Sequence, residues 1–178
     1  MSLAALSSLP GRVFAGRVWR QCSPRRGLLE VAHPAATTGR YHRLGGPGVW
    51  YASSTRAAAW AEFFRHLPSG GVSPSEIRRR VGRARVARLR ALDLTDARIR
   101  RALGITVREL TGDDLARCQA LADAARAAGF EGIVPPSAAR AGASTVVVFA
   151  PALAERVIAD GPSIIGHTPQ RRRRANRR

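Results

Sequence analysis

Between Arg83 and Leu92 arginine and apolar residues alternate, with Arg83, Arg85, Arg88 and Arg90 set among Ala84, Val86, Ala87, Leu89 and Leu92. Side chains spaced by two fall on one face of a strand, so a half-buried strand with an arginine face is predicted here. That face meets either solvent or phosphate, and solvent is the preferred reading. The run from Ser144 to Phe149 is rich in β-branched residues and reads as a strand buried on both sides. Shorter strands are predicted from Arg17 to Cys22, stopped by Ser23-Pro24, and from Val49 to Ala52 after the Gly45-Gly46-Pro47-Gly48 turn. A third runs from Gly132 to Val134 and is closed by Pro135-Pro136-Ser137. A final apolar piece lies between Val157 and Ile165.

Helical periodicity separates these strands. Trp60, Phe63, Phe64 and Leu67 fall at i, i+3, i+4 and i+7, a buried stripe on a helix capped by Ser53 or Ser54 and stopped by Pro68-Ser69-Gly70-Gly71. Glu62 is on roughly the opposite face. Asp96 to Leu103 is read as a short helix ended by Gly104. Thr111, with Asp114 three positions on, is predicted to cap a further helix running to about Ala128, with Gly129 just beyond it. Strands and helices interleave without a regular βαβ repeat or a phosphate-loop glycine fingerprint. The fold class expected is α+β, a curved mixed β-sheet with flanking helices. One globular domain is placed at residues 12–165, and a disordered arginine-rich tail at 166–178.

Charge narrows the function less than its size suggests. The chain carries a net charge of +18, and all thirty basic residues are arginine. Guanidinium groups pair with phosphate bidentately, yet a chain without lysine and rich in Ala, Gly and Pro also has the composition of a GC-rich genome. Only arginines inside a motif therefore carry weight. Cys22 and Cys118 are far apart and lack metal-ligand spacing, so neither zinc nor a disulfide framework is expected. No stretch approaches the ~20 apolar residues of a membrane span, and the N-terminus lacks the basic and apolar regions of a signal peptide. A cytoplasmic protein that uses no membrane is the expectation.

The residues richest in chemistry lie between Gly39 and Glu62: Gly39-Arg40-Tyr41-His42, Val49-Trp50-Tyr51-Ala52-Ser53-Ser54, and Glu62 eleven residues after Tyr51. Together with Val18-Trp19-Arg20 before them, and with Cys118-Gln119-Ala120 and Gly132-Ile133-Val134-Pro135-Pro136-Ser137 after them, they resemble the RES domain family. The resemblance runs from about Val13 to Phe149. It implies a fold similar to ADP-ribosyltransferases and the activity of a toxin from a bacterial toxin–antitoxin pair. Such toxins destroy NAD by hydrolysis or by transfer to inorganic phosphate, and their antitoxins carry an Xre-like helix-turn-helix domain and cover the active site. NAD would be a substrate, phosphate a candidate co-substrate, and no separate cofactor or metal is called for. Nucleic acid would be met only through the antitoxin, or weakly through the basic tail, and self-association is left open. The segment His42-Arg43-Leu44-Gly45-Gly46-Pro47 departs from the proline pair usual after the Gly-Arg-aromatic element.

The residue types fit that chemistry. Cleavage of the nicotinamide–ribose bond expels a neutral base and leaves oxocarbenium character on the sugar, for which a carboxylate near C1′ is the natural partner. Glu62 is the candidate. Arg20 and Arg40 are suited to the diphosphate. Tyr51 or Tyr41 can stack on the nicotinamide ring, and Ser137, on a stiff turn, can hydrogen-bond its side. Arg40 and Tyr51 join Glu62 in the expected catalytic set, and Arg20, Arg40, Tyr41, Tyr51 and Ser137 form the expected binding set. Blander readings stand beside these: an exposed strand position for Arg20, core packing for both tyrosines, Arg43 in place of Arg40. His42 and His66 are read as structural, and Cys118 and Gln119 as packing residues. Two other functions stay open, a nucleic-acid-binding protein and transfer of ADP-ribose to a macromolecule.

Overall fold

A computed structural model describes residues 6, 8–31, 37–67, 73 and 76–169. Its elements are β1 (Arg12–Cys22), β2 (Val49–Ser53), α1 (Arg56–Arg65), β3 (Arg78–Asp93), α2 (Ala97–Ala102), α3 (Val107–Thr111), α4 (Ala116–Ala127), β4 (Gly132–Val134), β5 (Thr145–Phe149), α5 (Ala150–Arg156), β6 (Val157–Ala159) and β7 (Ile164–His167). The fold is mixed α+β, one seven-stranded sheet with helices packed on it.

The strand order is β1-β2-β5-β4-β3-β6, with β7 also on β3. Because β1 pairs with both β2 and β3, the path through β2, β5, β4 and β3 returns to its start, which accounts for the expected curvature. Among the described strands only β3 and β4 run parallel; α2, α3 and α4 make the crossover between them. β3 is the spine. One edge carries β1 along most of its length, and β7, β6 and β4 follow one another along the rest of its pairings.

The arginine alternation is real but interrupted. Phe14 pairs with Leu89 and Gly16 with Val86, so β3 holds one extra residue there, and Arg88 takes φ 51°. This β-bulge switches the outward positions from Arg83 and Arg85 to Arg88 and Arg90. Inward residues feed two cores. Val147 and Phe149 of β5 join Leu92, Leu121 and Ile133 under the helices, while Val146 and Val148 join Trp50, Val86 and Leu153 on the other face. The predicted two-sided burial of β5 is thus observed. Trp60 and Phe63 of α1 form a third cluster with Val81, against which Trp19, Phe64 and Leu67 pack.

Several boundaries differ from expectation. Thr55, not Ser53 or Ser54, caps α1 by accepting from Ala58 N at 3.1 Å, because Ser53 is still in β2 and Ser54 Oγ accepts from Ser144 N. Thr111 ends α3 rather than starting a helix; the capping box belongs to Thr106 and Glu109. Strands β1 and β3 begin five residues before the predicted Arg17 and Arg83, at Arg12 and Arg78. The last apolar piece is two strands, preceded by an unforeseen helix, α5. β7 reaches His167 and Thr168 is buried, so ordered chain extends past residue 165. The helix stop at 68–71 and the arginine run at 170–178 lie outside the described residues.

Candidate active site

A cleft of about 480 Å³ opens where β1, β2 and α1 meet the loops after Thr38 and Pro135. Its wall includes Arg20, Arg40, Tyr41, Tyr51 and Glu62, five of the six residues singled out from sequence. The sixth, Ser137, reaches it through Glu62: its hydroxyl donates to Glu62 Oε1 at 2.7 Å. Strand alternation and one helical face deliver these groups. Residues 19–21 of β1 pass along the cleft, residues 51–53 of β2 lie beside them, and Ala59, Glu62 and His66 follow one side of α1. The opposite side of α1 holds Trp60 and Phe63 in the core, so the apolar stripe aims the carboxylate.

Arg20 is not an exposed strand residue. It is 7% exposed, its Nη2 donates to the carbonyl of Glu30 at 2.6 Å, and its guanidinium lies 5.4 Å from the Trp50 ring centroid. Nη1 is buried without a protein hydrogen-bond partner. Burial lowers its pKa to about 10, well above neutrality, so the group stays cationic. A buried guanidinium that keeps its charge in the wall of a cleft is suited to an anionic ligand.

Arg40 is anchored by one nitrogen, Nη1, which donates to the carbonyls of Leu110 at 3.2 Å and Gly112 at 2.6 Å at the end of α3. Those carbonyls are among the unpaired acceptors of a helix C-terminus, where a cation is favoured. Its remaining nitrogens are free of the anchor. Tyr41 is 1% exposed and packs in the core, so of the two tyrosines it is the more structural. Tyr51 is half-buried, its ring centroid 6.5 Å from that of Tyr41. Its hydroxyl accepts from Tyr41 N at 3.0 Å and shares a 2.9 Å hydrogen bond with His42 Nδ1. Burial raises both phenol pKa values well above the ordinary value, so both keep their protons at neutral pH.

Other residues of the site escaped the sequence reading. Gln119, read as packing, donates through Nε2 to the carbonyls of Gly39 at 2.9 Å and His42 at 3.3 Å and so ties the Gly39–His42 turn to α4. Arg65 donates to the carbonyls of Ala138 and Thr111 and to the Asp113 carboxylate at 2.5 Å, linking α1 to the Ser137 loop and to the post that holds Arg40. Arg40, Arg65, His66, Asp113 and Leu115 border a second hollow of about 420 Å³ beside the first. Arg43 pairs with Asp123 and Gln119 and does not stand in for Arg40 in the cleft wall. Nothing in the local spacing signals Gln119 or Arg65, because their partners are remote in sequence. Among the described residues no group of three or more His, Cys, Asp or Glu could hold a metal ion, and both cysteines are buried and free.

A family model for the RES domain matches residues 9–168. This chain belongs to the RES domain family. It is 48% identical over 154 residues to a probable NAD(+) phosphorylase of Mycobacterium tuberculosis, covering 86% of this chain and 74% of that protein. It is also similar in fold to a chain in the crystal structure of the M. tuberculosis MbcT–MbcA toxin–antitoxin complex. That match has a TM-score of 0.81 at 22% identity, over 93% of this chain and 92% of that one. The expected family is therefore the family found. Among the described residues no helix is long and apolar enough to cross a membrane.

Proposed function

We propose that this RES domain protein cleaves the bond between nicotinamide and ribose in NAD, and that it is the toxin of a toxin–antitoxin pair. One observation carries the reading: Glu62, Arg20, Arg40 and Tyr51 line a single cleft in a chain 48% identical to a probable NAD(+) phosphorylase. As the C1′–N bond breaks, its electron pair moves onto the pyridinium nitrogen and releases neutral nicotinamide, which needs no proton. Positive charge grows on the ribose. Glu62, held by the Ser137 hydroxyl, is the carboxylate that stabilises it. The diphosphate is dianionic and suits the guanidinium charges of Arg20 and Arg40 in the cleft wall. Tyr51 orients the nicotinamide or ribose, and Tyr41 contributes its backbone N–H to the Tyr51 hydroxyl. Holding a flexible dinucleotide bent in this way supplies part of the rate.

An oxygen lone pair of the acceptor then forms the new bond at C1′: hydrogen phosphate reacts through an anionic oxygen, whereas water must also release a proton to solvent. The name of the relative favours inorganic phosphate over water, giving ADP-ribose 1″-phosphate in place of ADP-ribose. The reading includes an ADP-ribosyltransferase-like fold, a cytoplasmic location and an antitoxin partner with an Xre-like helix-turn-helix domain that covers the cleft.

Purified protein incubated with NAD and phosphate is expected to release nicotinamide, and Glu62→Ala to slow release about a thousandfold. Product analysis with and without phosphate identifies the acceptor. Label from NAD appearing on protein or nucleic acid would indicate macromolecular transfer instead. NAD that survives prolonged incubation with folded protein overturns the proposal.

A further inference from the structure

His42 is buried, 3% exposed, beside the cleft wall, and its ring meets no cation or carboxylate by hydrogen bond; the backbone of Thr37 interacts with the ring, and its side-chain partner is the Tyr51 hydroxyl. Several features exist to bring the two together. Gly39 and His42 face each other across a tight turn closed by Gly39 N donating to His42 O at 3.0 Å. Gln119 holds both carbonyls of that turn from α4, and Thr38 Oγ1 donates to His42 O at 3.3 Å. The ring then packs directly against Gly39. A Cβ at Gly39 would overlap His42 Cε1 and stand 2.7 Å from Nδ1 and 3.1 Å from the Tyr51 hydroxyl oxygen. Only the absence of a side chain at residue 39 lets the imidazole reach the phenol.

We infer that His42 is a positioning residue for the cleft chemistry, acting through the Tyr51 hydroxyl, and that Gly39 is the residue that permits it. A phenol hydroxyl has one proton and two lone pairs. The backbone N–H of Tyr41 occupies one lone pair, and His42 Nδ1 takes either the second lone pair or the proton. Whichever tautomer the ring adopts, two of the three hydrogen-bonding directions of Tyr51 are fixed by protein, and the third alone is left for a ligand. Without His42 the hydroxyl rotates about its C–O bond. A ligand that needs a donor or an acceptor there then meets it only part of the time.

The inference rests on the cleft being the NAD-cleaving site, and two measurements separate the fates of the two readings. The first is a double-mutant cycle on nicotinamide release with His42→Leu, Tyr51→Phe and the pair. His42→Leu is expected to lower kcat/KM about tenfold, the rate equivalent of one lost hydrogen bond. It should divide that loss between kcat and KM as Tyr51→Phe does, and add nothing in the Tyr51→Phe background. His42→Asn, whose amide overlays Nδ1, is expected to recover most of the rate. Effects of His42→Leu and Tyr51→Phe that multiply, or a His42→Asn variant as slow as His42→Leu, overturn the assignment. Should His42→Leu not fold, Gly39→Ala replaces it in the cycle, since it displaces the ring and keeps the imidazole. The second measurement is the ring ¹⁵N shift of His42 by NMR in the wild type and in Tyr51→Phe. A shifted Nδ1 signal is expected whether or not NAD is the substrate; an unchanged one rejects the His42–Tyr51 lock. A shifted signal in a protein that leaves NAD intact would reject the proposed activity and retain the lock.

Discussion

Ser137 was expected to contact the nicotinamide, and its hydroxyl is already committed. Its single proton goes to Glu62 Oε1, and its oxygen accepts from Ala139 N at 3.3 Å and Arg140 N at 3.2 Å. Ser137 therefore braces the carboxylate and shapes the turn behind it. Ser137→Ala is expected to lower kcat about tenfold with KM nearly constant, and to cost about 1 kcal/mol of stability. A raised KM with kcat intact would instead indicate direct contact with the substrate. Arg20→Lys tests the other pole of the cleft. A lysine ammonium is a compact point charge without the planar fork that lies over Trp50 while its far nitrogen reaches Glu30 O, so the positive charge shifts and KM for NAD is expected to rise at least tenfold. The site was legible in part because its residue types declare chemistry: a carboxylate, arginines and a tyrosine at fixed spacing. What braces them was not legible. Ser137 meets Glu62 across 75 residues and Arg40 meets Gly112 across 72, contacts that only the folded sheet creates.

At the scale of elements, sequence signals decided the strands better than the helix starts. The run from Ser144 to Phe149 was read as doubly buried because its β-branched residues leave no polar side, and Val146 to Phe149 are buried on both faces, while Ser144 and Thr145 at its start are only half-buried. The bulge in β3 was also written in the sequence, in the step from Arg85 to Arg88, where a strict alternation would put arginine at residue 87. Read as uniform alternation, it passed unnoticed. The start of the helix running to about Ala128 was misplaced: α4 begins at Ala116 after Leu115, which makes no side-chain cap, and Asp114 Oδ1 accepts from Ala116 N instead. The threonine–acid capping signal that is used, Thr106 with Glu109, opens the separate helix α3. Thr106 Oγ1 accepts from Glu109 N, and Glu109 Oε2 accepts from Thr106 N at 2.7 Å, whereas Thr111 Oγ1 donates back to Val107 O. Chemical unfolding should show Thr106→Ala losing about 1 kcal/mol and Thr111→Ala changing little. Equal losses would return the cap to Thr111. Because Arg40 hangs on the carbonyls of Leu110 and Gly112, Thr106→Ala should also weaken NAD binding, an effect that a cap remote from the site would not have.

Across the whole molecule twelve acids stand against thirty arginines, and the described ion pairs gather several arginines on few carboxylates. Arg17, Arg83 and Arg85 all converge on Asp160. The carboxyl of Glu131 is held below its ordinary pKa chiefly by hydrogen bonds from Arg156. Burial alone would raise Asp93, but Thr95 and Arg12 outweigh it and lower it. Glu109 is lowered by the Thr106 backbone N–H. A carboxyl whose pKa is lower folded than unfolded adds stability above its unfolded pKa and loses it as pH falls through the folded value. Burial lowers the pKa of His42, so the unfolding midpoint should begin to fall as pH drops below about 6.5, where the unfolded chain takes up a proton the folded one resists, and fall further below about pH 4 as the carboxylates protonate. Glu131→Gln should flatten part of that fall. Salt separates two further effects of opposite sign. It weakens the exposed ion pairs, which would lower the midpoint, and it screens repulsion among arginines without acidic partners, which would raise it. With a net charge of +18 the repulsive pairs outnumber the attractive ones. Raising sodium chloride from about 20 mM to about 300 mM, which shortens the screening length to below ~10 Å, should therefore raise the unfolding midpoint at neutral pH. A lower midpoint in salt would mean that clusters such as the one around Asp160 contribute more to stability than the unpaired arginines take away.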